Sequence, residues 1–114
     1  MKRQGNRILL QHMLHEIDYI IDYISRIDYE MYNESLDRRY ALVRSLEILG
    51  EAANHLGREY HNLHPEIEWK DIVGNRNFLI HDYAVVDYDV VWDTAVNDVP
   101  KLRDKVFRLL QMEQ

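Results

Sequence analysis

The sequence predicts an all-α fold, an up-and-down bundle of four to five helices. Over most of the chain, apolar residues recur at steps of three and four, which is the spacing of one face of an α-helix. No segment reads clearly as a strand. The 114 residues are 46% apolar, which is enough to bury one core, and we therefore expect residues 1–114 to form a single helical domain.

The first two helices are predicted over residues 8–27 and over the stretch that ends at Gly57. The apolar positions of the first are Ile8, Leu9, Met13, Ile17, Ile20, Ile21, Ile24 and Ile27. The second has candidate N-caps at Asn33, Ser35 and Asp37. Its apolar stripe is Leu42, Leu46, Leu49, Ala53 and Leu56. Gly57 is a natural C-terminal stop for this helix.

Two further helices are predicted in the second half of the chain. Pro65 could open a short helical turn, and a third helix is expected from Trp69 to Tyr83. Asp87 then provides the cap of a fourth helix. The apolar face of that helix is Val90, Val91, Ala95, Val99, Leu102, Val106, Leu109 and Leu110. Pro100 lies inside this pattern, so we expect a kink or a break there.

Composition limits the classes of function. The formal net charge is −6, from 14 Lys and Arg against 20 Asp and Glu, so any contact with nucleic acid must be local rather than a broad basic footprint. The sequence has no Cys, which excludes disulfides and thiolate chemistry. We recognise neither a signal peptide nor an apolar run of membrane-spanning length, and we expect a cytoplasmic protein that does not associate with membranes.

The histidines do not predict a metal centre. The pairs at helical spacing are His12 with His15 or Glu16, and His61 with His64. A di-iron bundle needs two Glu-x-x-His pairs, and the sequence contains none. A zinc ion at a histidine pair would need further ligands, so we expect neither a metal nor another cofactor.

The segment GNRNFLIHDY, residues 74–83, holds the candidate catalytic groups. Arg76 is permanently cationic and can donate two hydrogen bonds to one phosphate, while His81 can exchange a proton near neutral pH. A base and a cation are sufficient to cleave RNA without a metal. The alternative is structural: Arg76 pairs with a carboxylate such as Asp82 or Glu51, and His81 is a packing residue.

This segment resembles the R-x4-H-x-Y motif of the HepT family, small all-helical ribonuclease toxins of the HEPN superfamily. Arg76, His81 and Tyr83 reproduce the spacing of that motif, and the polar Asn77 also fits it. The likeness extends over most of the chain, through SLEILGEAANHL (residues 45–56), IEWKDIVGNRN (67–77) and VDYDVVWDTAVNDVPKL (86–102). Asn75 departs from the pattern, because relatives usually carry an apolar residue before the arginine.

The resemblance implies a HEPN-like helical fold and a metal-independent endoribonuclease that works as a homodimer, with the motifs of the two protomers facing each other across a shared cleft. Arg76 and His81 would be the catalytic residues, and Asn77 would support them. The resemblance also implies the toxin of a type VII-like toxin–antitoxin pair. Its partner would be an MntA-like nucleotidyltransferase antitoxin that transfers AMP to Tyr83.

Glu51 is a candidate supporting residue. It lies between Glu47 and His55 in a row at steps of four along the second predicted helix. The functional interpretation is that Glu51 orients Arg76, and the structural alternative is that the whole row is a solvated face.

Other aromatic and basic residues have weaker interpretations. Trp69 and Trp92 each fall among apolar residues, so we expect them in the core or at a dimer interface. The basic residues that could reach RNA beside the cleft are Arg38, Arg39 and Arg44.

A second class of function is compatible with the same residues. The chain could be a non-catalytic helical module whose motif binds a nucleotide or a protein partner without turnover. Motif residues do not establish their own mutual placement, so the sequence leaves this alternative open.

Overall fold

The computed structural model describes residues 2–75 and 86–113, and within these ranges the chain forms seven α-helices and one π-helical segment. The helices are α1 (Lys2–Ser25), α2 (Tyr29–Glu34), α3 (Leu36–His55), α4 (Gly57–Leu63), α5 (Trp69–Asn75), α6 (Tyr88–Asp93) and α7 (Val99–Met112), and the π-helical segment is Thr94–Asp98. The described residues contain no strand. The predicted all-α class is therefore confirmed.

The core forms where α1 packs between α3 and α7, and α3 in turn packs against α5. Most residues of the apolar stripes predicted from the sequence face this core, but Ile8 and Val90 are exposed, and Leu10, which was not predicted, is buried. The fully buried residues of α1 and α3 are Leu10, Met13, Ile17, Ile20, Leu42, Leu46, Leu49 and Ala53. Because burying one Leu or Ile side chain stabilises a fold by about 1.5–3 kcal/mol, these rows fix how the long helices face each other.

Side-chain caps start three of the helices. Ser35, one of the three predicted caps, accepts a hydrogen bond from the Arg38 backbone N–H at 3.2 Å and begins α3. Asp87 begins α6 as predicted, accepting from the Val90 N–H at 3.2 Å. Asp28 caps α2, a short helix that the sequence pattern did not predict.

Gly57 ends α3 and also redirects the chain. Its φ of +90° lies in the left-handed region that favours glycine, as expected for the predicted stop. A second unpredicted helix, α4, starts at this same residue. Residues 65 and 66 then form a turn before α5.

The π-helical segment Thr94–Asp98 accommodates a proline. The Val99 N–H donates to the Thr94 carbonyl, five residues back, and Pro100 follows in the first turn of α7. A proline ring clashes with the carbonyl four residues before it, and a wider helical turn relieves that clash. The irregularity predicted at Pro100 is present.

α5 carries Trp69, Ile72 and Val73, as expected of the third predicted helix, and is described from Trp69 to Asn75. Its predicted continuation to Tyr83 lies outside the described residues. Among the helices that the structure describes, none is both long enough and apolar enough to cross a bilayer.

Candidate active site

Four predicted site residues, Arg76, Asn77, His81 and Tyr83, lie outside the described residues. The structure does describe the two elements that flank them in the chain. α5 leads into the motif and α6 follows it.

The flank before the motif is anchored by aromatic packing. Trp69 is 7% exposed and Ile72 is 3% exposed, so α5 is fixed by its apolar side against α3. The Trp69 indole N–H donates to the His64 carbonyl at 2.8 Å. This bond ties the start of α5 to the turn before it and satisfies a polar group that burial would otherwise leave unpaired.

The flank after the motif is held by two tyrosines of α2. The buried Tyr32 donates its hydroxyl to the Tyr88 carbonyl at 2.8 Å and packs its ring against Trp92, with the ring centroids 4.9 Å apart. The hydroxyl of Tyr29 donates to Asp89 Oδ1 at 2.6 Å. Burial raises the pKa of Tyr32. These contacts fix the first turn of α6 relative to α2.

Glu51 is the one predicted site residue among those that the structure describes. It lies on α3 with a half-exposed side chain (51%), and its Oε1 is 4.0 Å from His55 Nδ1. The same Nδ1 donates to the Glu51 carbonyl at 2.8 Å. The carboxylate is therefore on the outer side of α3, and its role towards Arg76 stays a prediction.

The three arginines predicted as RNA contacts are engaged within the chain. Arg38 donates to the Met31 carbonyl at 3.1 Å. Arg39 donates to the carbonyl of Asn33, and its guanidinium carbon lies 5.1 Å from the centre of the Tyr88 ring. Arg44 pairs with Glu47 at 2.9 Å, one turn away on α3.

Through these contacts, two of the arginines connect helices. Arg38 and Arg39 join α3 to α2, and Arg39 also reaches α6. Both tryptophans have a structural role as well, since Trp69 belongs to the buried core and Trp92 packs against that core. Their predicted place in the core is confirmed.

An open groove that the sequence did not predict runs along α4 and α5. Its volume is about 900 Å³, and its lining extends from Asn54 on α3 to Gly74 on α5. His61 and Trp69 stack on this lining, with ring centroids 4.4 Å apart and an interplanar angle of 12°. His61 was considered above as half of a metal pair, but in the structure its Nε2–H donates to the Ala53 carbonyl at 2.8 Å.

The sequence is similar to ribonucleases along almost its whole length. It matches the family model described as ribonuclease HepT-like over residues 13–109. A protein of Caldanaerobacter subterraneus subsp. tengcongensis named "Putative RNase" is 37% identical over 108 residues, which cover 95% of this chain and 96% of the relative.

Two archaeal proteins show the same relationship. A "Putative RNase" of Methanocaldococcus jannaschii is 34% identical over 106 residues, covering 93% of this chain and 97% of its own. The "Probable ribonuclease HepT" of Thermococcus cleftensis is 34% identical over 109 residues, covering 96% and 98%. No solved structure matches the chain significantly.

Proposed function

This chain belongs to the ribonuclease HepT-like family, and from that membership we propose that it is a metal-independent endoribonuclease, the toxin of a type VII-like toxin–antitoxin pair. The observation that carries the proposal is the R-x4-H-x-Y motif at Arg76, His81 and Tyr83, which lies inside the segment that matches the family model. Asn77 and Glu51 are proposed as supporting residues.

The proposed reaction uses the 2′-hydroxyl of the RNA as the nucleophile. His81 takes the proton from that hydroxyl, and the 2′-oxygen forms a bond to phosphorus. Arg76 donates to the phosphate oxygens, where negative charge increases in the transition state. The bond from phosphorus to the 5′-oxygen breaks, and the leaving oxygen takes a proton from an imidazolium. The products are a 2′,3′-cyclic phosphate and a 5′-hydroxyl.

Two protomers are proposed to share one cleft. On a straight helix, positions five apart point about 140° away from each other, so Arg76 and His81 of one protomer would not converge on one phosphate. A two-fold axis places a second motif opposite the first, and groups from both protomers can then act on the same linkage. We expect a homodimer for this reason.

The net charge of −6 limits how RNA is bound. Arg38, Arg39 and Arg44, the cations predicted to reach RNA beside the cleft, are engaged in contacts within the chain, so they are less available to hold an RNA backbone. With few phosphate contacts, RNA affinity depends on a local site, and each contact that is lost to salt weakens binding noticeably.

The first experiment is RNA cleavage by the purified protein in the presence of a chelator. We expect Arg76→Ala and His81→Ala each to lower the cleavage rate by on the order of a hundredfold or more, because each removes a group that acts in the transition state. RNA with 2′-O-methyl groups should resist cleavage, because it lacks the nucleophile.

Matched controls for these variants are available on exposed helix faces. Arg108→Ala on α7 and His12→Ala on α1 change the same residue types at exposed positions and should cleave at the wild-type rate. Wild-type rates in both motif variants would refute the assignment. A wild-type protein that binds RNA without cleaving it would instead indicate the non-catalytic module.

AMP transfer to Tyr83 explains how the antitoxin would neutralise the toxin. An adenylylated tyrosine places a bulky anionic group two residues from His81, where it occupies the phosphate site and repels the RNA backbone. With an MntA-like nucleotidyltransferase and ATP, we expect the intact mass to increase by one or more AMP units.

Tyr83→Phe should abolish that increase, because it removes the only acceptor atom of the side chain. Tyr40→Phe, which changes a tyrosine that is 56% exposed on α3, should keep it. Labelling that persists in Tyr83→Phe would place the modification on another residue.

A further inference from the structure

The groove along α4 and α5 is close in the chain to the residues of the proposed cleavage site. Gly74 is one of the residues that line the groove, and Arg76 follows two residues later in the sequence. Successive Cα atoms are 3.8 Å apart, so the Cα atoms of these two residues are at most about 7.6 Å apart. A strand bound at Arg76 is therefore close enough to enter the groove.

The groove contains a fixed pair of stacked rings. His61 and Trp69 stack nearly parallel, and each ring donates its N–H to a backbone carbonyl, His61 to Ala53 and Trp69 to His64. Trp69 is almost fully buried, whereas His61 is partly exposed. Both rings line the groove, and the imidazole is the more exposed of the two. Flat, pre-oriented rings are what proteins use to stack unpaired bases.

The lining of the groove includes two cations that have no carboxylate partner among the residues that the structure describes. Arg58 on α4 and Lys70 on α5 are both exposed and both line the groove. In the part of the chain that the structure describes, neither lies within ion-pair distance of a carboxylate, whereas Arg26, Arg44 and Arg103 are all paired. Cations that are free of carboxylates can bind phosphates without first breaking an ion pair.

The remaining polar lining suits the edges of bases. Asn54 and Asn62 supply amides, and Glu68 and Asp71 supply carboxylates along the same groove. Amides both donate and accept hydrogen bonds, and carboxylates accept from exocyclic amino groups of bases. A ligand that is only anionic would be repelled by the two carboxylates, whereas a nucleotide offers a phosphate to the cations and a base to the rest.

We propose that this groove binds the single-stranded RNA segment next to the cleaved linkage, with a base stacked on His61 and backbone phosphates held by Arg58 and Lys70. The proposal rests on the ribonuclease function proposed above. It assigns the recognition of flanking RNA to one protomer's α4 and α5, outside the R-x4-H-x-Y motif.

The test is binding of a short single-stranded 2′-O-methyl oligonucleotide to the full chain, measured by fluorescence anisotropy over a series of salt concentrations. The oligonucleotide lacks the nucleophile, so binding is measured without turnover. For the double variant Arg58→Ala, Lys70→Ala, we expect the Kd to rise on the order of tenfold. The slope of log Kd against log salt should fall by about 1.4, because each phosphate contact with a single strand contributes roughly 0.7.

The matched control is the double variant Lys105→Ala, Arg108→Ala. It removes the same charge from two exposed positions on α7 and should bind like the wild type. Equal weakening by the two double variants would mean that only net charge matters and would overturn the proposal, as would unchanged binding by the groove variant. A wild-type protein that does not bind the oligonucleotide would also overturn it.

A second pair of variants tests stacking separately from charge. His61→Ala should raise the Kd on the order of tenfold through loss of the stacked base, whereas His61→Phe keeps a flat ring and should restore binding. Circular dichroism is used to check that both variants are folded. If the folded His61→Phe variant still bound weakly, His61 would be removed from the proposal.

These outcomes are separable from the failure of the catalytic proposal. A wild-type protein that binds the oligonucleotide through the groove but cleaves no RNA would refute the ribonuclease function alone. If the wild-type protein cleaves RNA and the groove variants bind the oligonucleotide as the wild type does, only the proposed role of the groove is refuted.

Discussion

Two buried tyrosine hydroxyls in this molecule have opposite environments. The hydroxyl of Tyr32 donates to the Tyr88 carbonyl at 2.8 Å. The hydroxyl of Tyr60 is also buried, but it has no hydrogen-bond partner among the described residues. A buried polar group without a partner destabilises a fold, whereas a bonded one stabilises it modestly.

The same change at the two positions should therefore have opposite effects. We expect Tyr32→Phe to lower the free energy of unfolding by about 1 kcal/mol and Tyr60→Phe to raise it by up to about 1 kcal/mol. Urea denaturation measures both. The exposed Tyr40→Phe is the control and should match the wild type. A destabilised Tyr60→Phe would show that its hydroxyl does have a partner in solution.

Tyr60 also predicts how stability depends on pH. Burial raises the pKa of Tyr60 to about 12 from the ordinary value of 10. The folded state holds this proton more tightly than the unfolded state does, so the contribution is complete below pH 10 and is lost as the pH rises from 10 to 12. We expect the unfolding free energy of Tyr60→Phe to fall less over this interval than that of the wild type, as measured by urea denaturation at a series of pH values.

Among the elements, the junction of α3 and α4 depends on one glycine. Gly57 has a φ of +90°, and a Cβ built on it meets no atom within 4 Å. Gly57→Ala should therefore cost only the backbone strain of a left-handed alanine, about 1–2 kcal/mol of unfolding free energy.

Gly74 provides the matched control for this change. It lies inside α5, has no positive φ, and likewise has open space around a built Cβ. Gly74→Ala should leave stability unchanged or raise it by up to about 1 kcal/mol, because alanine favours a helix interior. If the two variants unfolded at the same urea concentration, the left-handed conformation at Gly57 could not be the cause.

At the scale of the whole molecule, long elements could be predicted and short ones could not. α1, α3 and α7 have enough residues for a row of apolar positions to show the helical period. α2 and α4 have six and seven residues, which is too short for a row of apolar residues to show the helical period. Asn33, one of the three predicted caps, lies inside α2. The stop at Gly57 was predicted, but a local pattern gives no sign that a new helix starts at once.

The two parts of the candidate site differ in the same way. The motif could be found because its residues are close in sequence and match a known family. The groove could not, because His61 and Trp69 meet only after the turn at residues 65 and 66 folds α5 back against α4. Arg38 and Arg39 were predicted to contact RNA because their partners in the chain could not be foreseen. Those partners are backbone carbonyls of α2, a helix that the sequence pattern did not predict.

The proposed two-protomer cleft makes dimerisation a condition of activity. Sedimentation velocity should give twice the 13.8 kDa mass of the chain, and the cleavage rate per protomer should fall when the protein is diluted until protomers separate. The control variants Arg108→Ala and His12→Ala should show the same dependence of cleavage rate on protein concentration as the wild type. A protein that sediments as a monomer while retaining its full rate would rule out the two-protomer cleft.

The contacts between α2 and α6 make the stability of one helix depend on the other. α2 has only six residues, and an isolated helix that short does not persist in water, whereas α6 continues without a break through the π-helical segment into α7. Tyr29 and Asp89, which bond across a separation of 60 residues, belong to elements that must open and close cooperatively. The helical state of α2 therefore depends partly on a stretch of chain that is synthesised 60 residues later.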